Sequence, residues 1–405
     1  MNFSIKIKNR AVVDYLFIIM TICICIAPNT LIGYMGIIVF LFYIILQALK
    51  KGLYLSPYIL LEFLFPAYMI LQLAVVDIYS ESMQFSGIRT LLITCIFNIC
   101  IYNYIIQKGI DYAAEEYSLG IIIGSIILCV LYSGSIINNG GLSAEDFKGI
   151  SFLKIGGVAA VNIGWLNAIA IVLLWQRYIR TKNKNCLVKI LILTFILLLT
   201  GRRKIMLFLV SSVIIGSYLF YSKGNWSKKI KILFYIGILF AVVCIMFTQI
   251  PVLYKFIGQR LIYAVKYILG QDGIYDSSIK LRTYLAGTAQ DAWHKSPIWG
   301  QGYNSFAVLY NNKGYYSHNN MLELLVTGGI TGIIVYYLPY LYLLIAIYTK
   351  TRKETVNKWY YKYWFLNIVV FIILEYFQVT YIYRNLTIFL VFMAVAADKN
   401  YVVDN

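Results

Sequence analysis

Charge is scarce in this chain. Only 13% of its 405 residues are Asp, Glu, Lys or Arg, whereas 61% are hydrophobic. A soluble domain of that length needs far more polar surface to cover its core, so a soluble fold is excluded. Acids are the scarcer sign, 17 against 35 Lys and Arg, which leaves a formal charge of +18. No nucleic-acid-binding module accompanies the excess, so no nucleic-acid partner is expected; most of it suits anchoring at anionic lipid. The seven cysteines, at 23, 25, 95, 100, 129, 186 and 244, all fall within or beside apolar runs, so neither a disulfide framework nor a metal cluster is indicated. Strict polar–apolar alternation is also missing, which excludes a membrane β-barrel. Internal repeats and low-complexity tracts are absent.

What the chain has is long apolar runs. A hydrocarbon core of about 30 Å needs roughly 20 apolar residues per helix, and in lipid every backbone group must be satisfied within the protein. The expected fold is therefore all-α, a polytopic membrane bundle of about 12 helices. The predicted spans are 11–27, 31–49, 57–76, 87–106, 119–137, 158–176, 186–200, 204–221, 230–250, 329–348, 360–378 and 385–397. Of these, 186–200, 204–221 and 385–397 are short or carry polar interruptions. Lys6, Lys8 and Arg10 before the first run imitate a signal peptide, but no small-residue cleavage site follows, so that run reads as a retained helix.

Lys and Arg in the loops set the orientation. A cytoplasmic N-terminus puts Lys50 and Lys51, the QRYIRTKNKN segment, Lys223 to Lys231 and the KTRKETVNK segment on the same side, with both chain ends cytoplasmic. The 107–118 loop, with Asp111, Glu115 and Glu116 against Lys108, departs mildly from that pattern. The chain then divides into N-terminal spans (1–250), a large extracytoplasmic loop (251–317) and C-terminal spans (318–405).

Two outer segments are basic where outer loops usually are not. One is the tight turn TGRRK, with Arg202, Arg203 and Lys204; the other is the large loop, with Lys255, Arg260, Lys266, Lys280, Arg282, Lys295 and Lys313. Long loops cross regardless of charge, but a turn of a few residues does not share that excuse. Arg forks match phosphate oxygens bidentately. Within the loop, KFIGQRLIYAVKYILG has the apolar stripe of a helix lying in the interface. KLRTYLAGTAQDAWHKSP reads as a second helix, begun at Ser277 or Ser278 and stopped before Pro297, with Arg282 in its first turns. IWGQGYNSF is a turn; its lone GxG has no phosphate-loop meaning.

The most specific string is SHNNMLELLVTGGITG. The chain has two histidines, His294 and His318, both in this region. Histidine is the side chain best suited to take a proton near neutral pH. His318 stands at the start of the helix re-entering the membrane, as a base or as its cap; His294, beside Lys295, reads as a surface residue. Glu323 could orient His318, act as a second base or satisfy a buried neighbour. Gly329 and Gly332 lie where that helix must pack closely.

The succession of a TGRRK-type turn, an Arg about a dozen residues before HKSPIWGQGYNSF, and SHNNMLELLVTGGITG resembles the O-antigen ligase/polymerase superfamily, including the Wzy-type polymerases of O-antigen and capsule. Relatives carry a single Arg in the turn, so either Arg202 or Arg203 aligns with it. The resemblance implies an inverting, metal-independent glycosyl transfer from an undecaprenyl-diphosphate-linked oligosaccharide, at the outer face of the bacterial inner membrane. No metal or other cofactor is expected. The expected partners are that lipid-linked oligosaccharide, membrane lipid and a chain-length regulator protein. On that reading His318 and Arg282 are catalytic, Arg202, Arg203 and Arg260 bind the pyrophosphate, and Glu323 supports them. The leading expectation is a repeat-unit polymerase. The alternatives are a ligase acting on lipid A core and a flippase, for which Glu62 and Glu375 would be the intramembrane acids. The loop is expected to cover a cavity that collects His318 with the Arg residues.

Overall fold

The computed structural model describes residues 10–26, 31–78, 80–133, 160–200, 203–221, 277–309, 316–353, 357–376, 378–381 and 384–398, with isolated positions at 227, 230, 231, 234 and 249. Among these residues every regular element is a helix. In order they are α1 (Val12–Ile26), α2 (Leu31–Lys51), α3 (Pro57–Glu62), α4 (Leu64–Val75), α5 (Glu81–Lys108), α6 (Ile110–Leu131) and α7 (Ala160–Thr181). There follow α8 (Lys184–Leu199), α9 (Arg203–Tyr221), α10 (Ser277–His294), α11 (Ser305–Leu309), α12 (Asn320–Lys353), α13 (Lys358–Glu375) and α14 (Arg384–Ala397). Ile32–Leu49, Pro57–Val75, Glu81–Lys108, Ile110–Leu131 and Asn320–Lys353 are each long and apolar enough to cross a membrane. The protein is an all-α polytopic membrane fold.

Every predicted span but one is occupied by helix, including the three short or interrupted ones. The span 230–250 and the interfacial helix expected after Lys255 fall on residues outside those described. One loop was misplaced. The 107–118 segment is helical from Ile110, and Asp111, Glu115 and Glu116 lie on the first turns of α6. These acids tolerate helix because they are paired. Arg10 Nε meets Glu116 at 2.8 Å, Arg177 meets Glu115 at 2.5 Å, Lys189 meets Glu115 at 3.5 Å, and Arg180 bonds Asp111. Lys108 meets Asp14 at 3.0 Å, and Tyr104 and Tyr112 donate to the same carboxylate. The ends of α1, α5, α6, α7 and α8 thus share one neutralised cluster.

The chain forms two compact units, one of residues 1–54 and 103–202, the other of 55–102 and 203–405. In the first, α1 packs on α2 and α6, and α7 packs on α6 and α8. Small residues set the approach of α6 to α1. A Cβ at Gly120 would stand 1.7 Å from Thr21 Oγ1 and 3.0 Å from the Ile18 carbonyl, and one at Gly124 would stand 2.8 Å from Cys25 Cβ. Backbones that close rely on van der Waals contact, the main attraction between helices in lipid.

In the second unit α12 is the hub, packed by α3, α4, α10, α11, α13 and α14. Ser56 caps α3, its hydroxyl accepting from the Ile59 N–H at 3.3 Å, with Pro57 at the first helical position. Buried carboxylates in this unit are held by neutral groups. Glu375 accepts from Tyr337 at 2.7 Å, Tyr340 at 3.0 Å and Thr380 at 2.6 Å, while Glu62 accepts from Tyr58 at 2.5 Å and Asn98 at 2.9 Å.

The close approach in the first unit is testable. Gly120→Leu should cost about 1–3 kcal/mol by overpacking and lower the melting temperature of the detergent-solubilised protein. Gly287→Ala, whose added Cβ meets nothing within 4 Å, should leave the melting temperature unchanged or raise it.

Candidate functional site

The helix that begins at Asn320 is broken nine residues later. Gly329 has φ 64° and ψ −164°, so the i to i+4 hydrogen bonds cannot continue across it. The carbonyls freed before the break and the N–H groups freed after it are taken by the segment that follows α10. Gln301 N–H donates to the Val326 carbonyl at 2.8 Å and Gly302 N–H to the Thr327 carbonyl at 3.0 Å. In return the Ile330 N–H donates to the Pro297 carbonyl at 2.9 Å and the Thr331 N–H to the Ile298 carbonyl at 3.2 Å. The HKSPIWGQGYNSF and VTGGITG strings therefore interlock, backbone to backbone. Gly300 permits the approach: its φ is 75°, and a Cβ there would lie 2.5 Å from the Gly328 and Gly329 nitrogens. A Cβ on Gly329 would lie 2.3 Å from the Ile298 carbonyl oxygen. Gly329 is thus a break in the helix, where close helix packing had been expected; Gly332, where a Cβ would stand 3.3 Å from the Tyr68 ring, keeps the packing role.

The interlock connects two functional strings. On one side α10 seats Leu285, Ala289 and Ala292 against Phe306 and Val326. Arg282, one turn before Leu285 on the same stripe, is carried towards the start of α12 with its side chain exposed. The end of α10 is tied to the turn by Trp293 Nε1 donating to the Pro297 carbonyl at 3.0 Å, and by the Gln301 side chain donating to the Ala292 carbonyl. On the other side lies His318. It does not cap α12. Asn319 does, its Oδ1 accepting from the Met321 and Leu322 N–H groups at 2.9 and 3.2 Å. His318 sits one residue earlier, half-buried, with φ 58° in the left-handed region. Glu323, fully buried, accepts the Ser317 N–H at 2.8 Å, and Ser317 Oγ donates to the Asn319 carbonyl at 2.9 Å. Glu323 therefore acts on the backbone that carries His318. Asn320 fastens the neighbouring segment, its Oδ1 accepting from the Thr380 and Tyr381 N–H groups at 2.9 and 3.1 Å.

Burial first, and then the charges of Arg282 and Lys204, push the His318 pKa down to about 4. The imidazole is neutral at physiological pH, with a free nitrogen lone pair, and two cations face the same spot. Such an arrangement can attract an anion and accept a proton beside it.

Residues 188–337 match the family described as O-antigen ligase. The chain thus carries a domain of the O-antigen ligase/polymerase superfamily, over the stretch whose strings carry the resemblance. The match covers rather more than a third of the chain, and no curated protein matches it.

Within the ligase-family domain, Glu323 holds the backbone beside His318, and the Arg282 charge reaches the imidazole. Arg202 and Arg260 lie outside the described residues, as does the side chain of Arg203. Sequence reasoning overlooked Lys204, the third cation of TGRRK, because only the Arg pair was weighed for phosphate. It also overlooked the Asn319–Asn320 pair, whose signal was an amide doublet directly after the histidine. His294 is exposed and packs edge-on to Trp293, with ring centroids 5.0 Å apart. The cavity expected beneath the large loop falls mostly on residues outside those described. The second unit holds a small pocket lined by residues such as Glu62, Phe65, Phe371, Tyr381 and Leu390, and neither His318 nor Arg282 lines it. Those two sit on the loop side of the interlock, whereas the pocket lies among the apolar helices.

Replacing Gly300 or Gly329 by Ala forces both a left-handed backbone on a residue with a Cβ and a clash with backbone. Each variant should lose most activity and fall in melting temperature, whereas Gly332→Ala, whose Cβ would meet the Tyr68 and Phe65 rings and one carbonyl no closer than 3.3 Å, should keep more than half of its activity.

Proposed function

We propose that the protein is a polymerase that joins undecaprenyl-diphosphate-linked oligosaccharide repeat units into O-antigen or capsular polysaccharide, at the extracytoplasmic face of the bacterial inner membrane. The observation that carries this reading is a neutral, half-buried His318 faced by Arg282 and Lys204 within an O-antigen ligase family domain.

In this mechanism His318 accepts the proton of the acceptor sugar hydroxyl as its oxygen attacks the anomeric carbon of the donor. The bond from that carbon to the diphosphate oxygen breaks with its electron pair, and the diphosphate departs as an anion. Arg282 and Lys204 stabilise the charge as it develops, with Arg260 and one of Arg202 and Arg203 as further ligands. A single displacement inverts the anomeric centre. Glu323 holds the 317–319 backbone so that the imidazole faces the hydroxyl. The mainly apolar pocket walls suit the isoprenoid end of the carrier lipid. No step draws on a metal, because the side-chain cations do the charge stabilisation.

The family match fits a second reading equally, transfer of the glycan to lipid A core. One assay separates the two. The purified protein is reconstituted in liposomes with an undecaprenyl-diphosphate oligosaccharide and the products are run on a gel. The polymerase reading expects a ladder of repeat lengths that is lost in His318→Ala and Arg282→Ala. No ladder, with a product only when lipid A core is added, gives the ligase. Activity should persist in EDTA; complete loss restored by Mg²⁺ would refute the metal-independent mechanism.

The pH dependence follows from the cations. With the site empty, His318 loses its basic form only as pH falls through about 4, so the acid limb of kcat/KM should lie near that value. A bound diphosphate offsets Arg282 and Lys204 and raises the imidazole pKa, so the acid limb of kcat should lie higher. Coincident limbs for the two parameters would contradict this assignment.

A further inference from the structure

Two glutamines in the apolar helices reach the interlock. Gln72 on α4 and Gln84 on α5 are both fully buried, and buried polar side chains within membrane helices are costly enough to need a reason. Gln72 Nε2 donates to the carbonyls of Trp299 and of Thr327, the latter at 3.0 Å, so one amide spans both sides of the interlock. Gln72 Oε1 accepts from Gln84 Nε2 at 3.0 Å, and the second Gln84 N–H goes to the Met69 carbonyl at 2.8 Å. Gln84 Oε1 accepts the Tyr303 N–H at 2.6 Å. Each amide is therefore orientated; turning either over would set oxygen against carbonyl or NH₂ against N–H.

Satisfying stray backbone groups does not account for Gln72. The Thr327 carbonyl already accepts from Gly302 N–H, and the Trp299 carbonyl already lies 2.8 Å from the Tyr68 hydroxyl. Gln72 adds a second bond to each, and what it adds is a fixed spacing between them. The Tyr68 ring stacks on Trp299 with an interplanar angle of 7°, and its hydroxyl lies 2.6 Å from the Gly328 carbonyl, beside the same junction.

We propose that Gln72 and Gln84 form a positioning relay that fixes the register between the helix carrying Arg282 and the loop carrying His318. The relay touches neither side chain. It acts through the 299–303 turn, which continues α10, and through Thr327, which continues the segment that His318 begins. The proposal rests on the reading of His318 as the base. The charged groups facing His318 are Arg282 from α10 and Lys204 from α9, with Glu323 on its own segment.

The test uses the full-length protein in liposomes with its undecaprenyl-diphosphate oligosaccharide, comparing wild type, His318→Ala, Gln72→Leu, Gln84→Leu, the double Leu variant and Thr90→Val. Thr90 bonds only the Ser86 carbonyl of its own helix, at 2.8 Å, and serves as the neutral control. An active His318→Ala defeats the base assignment itself, and a wild type inactive both with and without lipid A core defeats the proposed function, whatever the glutamine variants do. With that assignment standing, each Leu variant should lose roughly 10- to 100-fold in kcat/KM, and the double variant no more than the worse single. The acid limb of kcat/KM should move up by about one pH unit, because Arg282 no longer stands over the imidazole. A loss that follows the folded fraction, with the acid limb where the wild type has it, would mean that the glutamines only pack, and would overturn the proposal. So would full activity in both single variants.

Discussion

The constraint on which the second unit depends is the unpaired backbone around Gly329. In an apolar surround an unbonded N–H or C=O costs several kcal/mol, so a helix can break there only where other protein groups take over its hydrogen bonds. The turn after α10 does so, returning two bonds for two. That exchange explains why the turn and the helix carry glycine where they meet: neither backbone can come within hydrogen-bonding distance of the other past a Cβ. It also explains why two strings that are far apart in the chain are both needed for one site. A helix run straight through Gly329 would leave the 297–302 turn unanchored, and Arg282 with it.

The break does more than fasten a loop. It ends the first arm of α12 within nine residues of Asn319, so this arm is short and stiff and is held at both ends. Asn319 caps one end and the turn holds the other. His318 projects from the capped end in a left-handed conformation, which an L-residue keeps only when its surroundings insist on it. Glu323 supplies that insistence from one turn into the arm, through the Ser317 N–H. A carboxylate that accepted directly from the imidazole would raise the histidine's pKa. One that grips the backbone instead fixes the direction of the ring and leaves its basicity to its burial and the cations.

Much of this was legible in the sequence. Apolar runs of the right length marked the helices, the scarcity of histidine narrowed the choice of base to two residues, and the basic outer loop pointed to an anion. What escaped was whatever depends on pairing across the chain. Asp111, Glu115 and Glu116 look like loop residues because their partners, at Arg180, Arg177, Lys189 and Arg10, are 62 to 106 positions away. Gly329 looked like a packing glycine because nothing local says that another backbone will replace its helical partners. Gln72 and Gln84 were single polar residues in apolar runs, indistinguishable from occasional polar packing until both were seen on one junction. Lys204 was hidden by its more conspicuous neighbours, Arg202 and Arg203.

A base held near pKa 4 beside two cations looks poorly matched to its task, since proton acceptance favours a pKa near the working pH. The mismatch belongs to the empty site. A unit charge ~6 Å away at an effective dielectric of ~20 contributes roughly 3 kcal/mol, about two pKa units. A dianionic diphosphate arriving among Arg282 and Lys204 can therefore return most of what they took from His318. In the proposed mechanism the imidazole stays neutral and uncommitted until the leaving group is in place, and becomes a competent base where and when the acceptor hydroxyl must be deprotonated. On that reading burial and the cations that would hold the departing anion together keep the base idle without it. In the proposed mechanism that economy demands a fixed distance between cation and imidazole, which the interlocked backbones, keyed by the Gln72 and Gln84 amides, are built to keep.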